Sequence, residues 1–76
     1  MNWYQVDTIN GYDNKTEQTD MIKATSIIDA LKSYLKDDFA DYKLTTTYPN
    51  GRKMVTAKCP RETANYYQVQ KSLAQS

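Results

Sequence analysis

PRETANYYQVQKSLA, residues 60–74, is the stretch on which the reading of the whole chain turns. Pro60 suits the first position of a helix, where its missing N–H has no partner to lose. Glu62 falls in the first turn, which favours acids. Tyr66, Val69 and Leu73 then make a narrow apolar stripe at helical spacing. The stretch is therefore expected to be a second helix, running to roughly Ala74.

The segment before it reads as a hairpin. Asn50-Gly51 is the strongest short-range signal for a two-residue turn. Centred there, Tyr48 faces Lys53, Thr46 faces Val55, Leu44 faces Ala57 and Tyr42 faces Cys59. That set shares one side, expected to be the core side. The other side pairs Thr47 with Met54, Thr45 with Thr56 and Lys43 with Lys58. Two lysines directly opposite repel mildly.

The first half repeats the pattern. NWYQVDTIN (residues 2–10) alternates as a strand, with Tyr4, Val6 and Thr8 on one side and Trp3, Gln5 and Asp7 on the other. Residues 11–18 are polar and turn-rich, so a loop is expected. Asp20–Ala24 reads as a short second strand, with Val6 opposite Ile22 and Tyr4 opposite Ala24. Ser26 and Asp29 then form a capping-box-like start. Ile27, Ala30, Leu31, Tyr34 and Leu35 follow as the apolar stripe of a helix ending near Lys36 or Asp37. Phe39 is expected to tuck under the domain.

The order expected is thus β-β-α-β-β-α in an α+β domain spanning residues 1–76. A four-stranded, mainly antiparallel sheet would carry both helices on one face. Residues 2–36 and 42–74 resemble a weak ββα pseudo-repeat.

Composition narrows the chemistry. The chain has 76 residues, one cysteine and no histidine. An intrachain disulfide and a Cys/His zinc site are therefore excluded. Cys59 has no histidine to activate it and is expected to be a small buried hydrophobe. With Gly11 and Gly51 isolated, no phosphate loop can form. Asp37, Asp38 and Asp41 cluster after the first helix and read as a solvated turn. No catalytic residue, cofactor or metal ligand is assigned, and an enzyme is not expected. A core of this size supplies only about 3–5 kcal/mol, so self-association is a natural supplement. No apolar run approaches a membrane span, and a cytoplasmic protein without membrane partners is expected. The Asn-, Lys-, Asp-, Tyr- and Thr-rich composition suits a small phage or mobile-element protein.

Net charge is +1, yet residues 1–41 hold eight acids and four lysines while residues 42–76 hold six basic residues and one acid. The sheet face away from the helices would gather Trp3, Gln5, Lys43, Thr45, Met54 and Lys58, with Arg52 and Lys53 at the hairpin tip. Two functions follow. In the first, the chain is a small binding or regulatory protein, and the face meets a protein partner or a second copy through an apolar centre at Trp3 and Met54 with a polar rim. In the second, the basic hairpin and the aromatic ring bind nucleic acid.

Overall fold

The computed structural model describes residues 1–61 and 64–72. The chain runs β1 (Asn2–Asn10), β2 (Thr16–Ala24), α1 (Ile27–Leu35), a 3-10 segment (Lys36–Asp41), β3 (Lys43–Thr47), β4 (Met54–Lys58) and β5 (Asn65–Lys71). The strands form one five-stranded sheet in the order β2-β1-β5-β4-β3, antiparallel throughout.

This corrects the expected four strands and two helices. Asn65–Lys71 is a strand, and it enters the sheet between β1 and β4. The helical stripe used Tyr66 and Val69, but the same residues also alternate. Tyr67, Val69 and Lys71 take one side, and Tyr66, Gln68 and Gln70 the other. Tyr and Val favour the pleated environment, and a central position satisfies the backbone of β5 on both edges. Glu62, Leu73 and Ala74, which the helix reading also used, lie outside the described residues.

The core explains why β5 belongs there. Val6 pairs with Val69, and Val69 pairs with Val55. All three are fully buried, in one line across the middle of the sheet, under the equally buried Leu31 of α1. The helix starts where the sequence places it: Ser26 Oγ accepts from the Asp29 N–H at 3.1 Å. It presents Ile27, Ala30, Leu31 and Leu35 to the sheet and packs on β2, β1 and β5. Phe39 and Tyr42 pack against the same cluster.

Three local expectations change. β2 begins at Thr16, so the expected loop shrinks to a tight turn held by Asn10, whose Oδ1 accepts from the Tyr12 and Asp13 N–H groups. The β1–β2 register is displaced by two residues, with Tyr4 opposite Ile22, and a bulge falls at Thr8/Ile9. An even displacement leaves every side chain on its expected side. The β3–β4 register is the expected one, but α1 does not extend over β3. Leu44 is therefore 38% exposed rather than core.

Candidate binding face

Strand alternation sends Tyr4, Val6, Ile22, Val55, Ala57, Tyr67 and Val69 toward α1. The other side of the sheet carries four rows of side chains. Trp3 and Lys23 are paired at one end. Next comes Met21–Gln5–Gln70–Met54–Thr47, then Thr19–Asp7–Gln68–Thr56–Thr45. The last row holds Ile9 beside Tyr66 and Lys58 beside Lys43. Ile9 is the one buried side chain among these; the others are half-buried or exposed.

Two aromatic rings mark opposite ends of this open side. Lys23 Nζ lies 5.8 Å from the Trp3 ring centroid, and Lys58 Nζ lies 5.8 Å from that of Tyr66. Tyr66 is anchored by its hydroxyl, which donates to Asn14 Oδ1 at 3.0 Å. Lys43 and Lys58 face each other across a shallow cleft of about 280 Å³ that Thr45 and Pro60 complete. In the middle, Gln5 Nε2 donates to both oxygens of Asp7 at 3.1 Å, and Thr19 Oγ1 donates to Oδ1 at 2.7 Å. Within the described residues the side-chain amides of Gln68 and Gln70 make no hydrogen bond.

The charge is one-sided. Lys23, Lys43 and Lys58 stand on this side against Asp7. Asp20 takes the α1 side, where the Tyr34 hydroxyl donates to it at 2.8 Å. Glu17, at the bulge, accepts from Asn10. Asp41 pairs with Arg61 at 2.9 Å on an exposed surface.

Six of the sequence-derived candidates are brought together here: Trp3, Gln5, Lys43, Thr45, Met54 and Lys58. Arg52 and Lys53 are not. Both lie on the α1 side, where Arg52 Nη2 donates to the Lys71 carbonyl at 2.6 Å. The expected apolar centre is also reversed. The methionines flank the two glutamines that fill the centre, and Thr47 ends the row. Tyr66, Gln68 and Gln70 were missed because they were read as helix; the alternation Tyr66-Gln68-Gln70 was the signal that could have found them.

Tyr4, Tyr34, Tyr42 and Tyr67 serve packing, while Tyr12 and Tyr48 are exposed. Tyr67 meets Tyr34 edge-on at 5.4 Å and Tyr42 at 5.9 Å, all on the α1 side. Burial, reinforced by Tyr67 and Cys59, pushes the Tyr42 phenol up to about 12.

Among the described residues no group of three or more His, Cys, Asp or Glu side chains could hold a metal ion, and no helix is long and apolar enough to cross a membrane. Comparison with protein-family models, curated proteins and solved structures returned no match.

Proposed function

We propose that this chain is a small non-enzymatic binding protein whose open sheet side holds single-stranded nucleic acid. The observation that carries this reading is the layout of that side. Two rings, each with a lysine ammonium beside it, stand about 20 Å apart along the strands, with free amides and hydroxyls between them. Bases stack on exposed rings in a sequence-tolerant way, and lysines take the phosphates. Losing a lysine–ring contact to a stacking base is a small sacrifice, since an exposed cation–π pair is worth about 0.5–1 kcal/mol. The span suits roughly four nucleotides, the low end for a β platform. A protein partner or a second copy would favour an apolar centre, and the centre here is Gln5, Gln70, Asp7 and Gln68.

Anisotropy of a labelled oligothymidine tests this against duplex DNA of equal length. Three lysines at phosphates give a log–log salt slope near −2, so raising salt fourfold should weaken binding roughly 20-fold. Lys58→Ala should flatten that slope by about 0.7. If the oligonucleotide does not bind at low salt while the protein sediments as a dimer, the face belongs to a second copy and the proposal is wrong.

A further inference from the structure

Arg52 and Lys53, the basic tip of the β3–β4 hairpin, take no part in the open side. Together with Lys71 they rim a separate cleft of about 500 Å³ on the α1 side. Its floor is Tyr4 and Ile27, 7% and 6% exposed, which also belong to the core and are therefore held in place. The three cations arrive from two places: Arg52 and Lys53 lead into β4, and Lys71 ends β5 directly opposite Tyr4.

No acid lines this cleft among the described residues. The carboxylate of Asp29, on the adjoining helix, is occupied by the Thr25 hydroxyl. Arg52 donates one N–H to the Lys71 carbonyl, which fixes the guanidinium at the rim, and its other donors make no hydrogen bond among the described residues. Ser26 Oγ accepts from the Asp29 N–H, leaving its own hydroxyl proton as a donor. Like charges gathered around an apolar floor repel one another until an anion joins them. The volume falls within the range of small-molecule sites, which combine an apolar lining with a few convergent polar groups.

We propose that this cleft binds a small organic anion with a flat apolar body and a phosphomonoester head, about the size of a nucleoside monophosphate. The body rests on Tyr4 and Ile27; the head meets Arg52, Lys53 and Lys71. This inference does not rest on the open side binding nucleic acid, and the two sites lie on opposite sides of the sheet.

Amide shift mapping of the labelled full chain with AMP, adenosine and inorganic phosphate tests it. AMP should move the amides of Ile27, Lys53 and Lys71 saturably, with adenosine and phosphate each weaker by roughly tenfold or more. The double substitution Lys53→Gln, Lys71→Gln changes two exposed side chains and should leave the spectrum folded. It should weaken AMP by roughly tenfold or more while oligothymidine binding on the open side is unchanged. The proposal is overturned if AMP shifts only the Trp3–Gln70 side, if the double variant binds AMP as well as the parent, or if phosphate alone binds as tightly as AMP.

Discussion

Asp7 lies in the middle of the open side and is the carboxylate among its lysines, held by Gln5 and Thr19. A fixed negative charge there repels phosphate and keeps a bound backbone toward the lysine ends. Asp7→Asn keeps an oxygen acceptor for Thr19 and removes the charge. Oligothymidine affinity should rise about fivefold at low salt, the size of one unit charge acting through water at contact distance, about 1 kcal/mol. Anisotropy reads this directly, and the gain should shrink as salt is added. Tyr42 makes a second residue-scale case. Its phenol is pushed from the ordinary 10 up to about 12, chiefly by burial. The folded chain therefore keeps that proton after the unfolded chain has lost it. Below pH 10 both states are neutral and Tyr42 adds no pH dependence; as pH rises from 10 to 12, stability falls. Tyrosinate absorbance should keep rising to about pH 12, and Tyr42→Phe should remove part of that late rise.

Among the elements, the β3–β4 hairpin was the most legible. Asn50 (φ 56, ψ 32) and Gly51 (φ 78) form a type I′ turn, closed by the Arg52 N–H on the Pro49 carbonyl at 3.1 Å. A Cβ at Gly51 would meet nothing within 4 Å, so Gly51→Ala carries only the backbone cost of a left-handed residue, about 1–2 kcal/mol. Thermal melts should show that loss, with the Val55–Val69 contacts intact by NMR. The hairpin could be read because its turn is encoded by two adjacent residues. β5 could not be read so easily, because Tyr66, Val69 and Leu73 satisfy a helical stripe while Tyr67, Val69 and Lys71 satisfy a strand. The decision between them is made at long range: Val69 fills the line between Val6 and Val55, at sequence separations that no local pattern contains. α1 was legible for the opposite reason, since its Ser26 cap and its apolar stripe are both local. Of the candidate site, Trp3, Gln5, Lys43, Thr45, Met54 and Lys58 followed from strand alternation. Arg52 and Lys53 did not: the hairpin register already turns Lys53 to the core side with Tyr48, and Arg52 closes the turn, where alternation carries no information about which side a residue takes.

For the molecule as a whole, the charge asymmetry between halves becomes an asymmetry between sides. Interleaving β5 of the second half between β1 and β4 places Lys23, Lys43 and Lys58 on one side of the sheet, Lys23 at one end and Lys43 and Lys58 at the other, although they come from both halves of the sequence. Apart from Asp7, carboxylates lie elsewhere, on the loop at Asp13, the α1 side at Asp20 and the 3-10 segment at Asp37, Asp38 and Asp41. A chain of net charge +1 thereby presents one locally cationic, aromatic-ended surface. That surface exists only if β5 is a strand, because Tyr66, Gln68 and Gln70 are then its centre and far end. Trp3 is the sole tryptophan of the chain, so its emission reports on this surface alone. The decisive measurement is a fluorescence titration of the protein with oligothymidine at low salt, repeated with Tyr66→Ala. The account predicts saturable quenching of Trp3, with affinity about tenfold lower in Tyr66→Ala, the cost of one lost stacking contact. Unchanged Trp3 emission, or quenching that Tyr66→Ala leaves at full affinity, would contradict it.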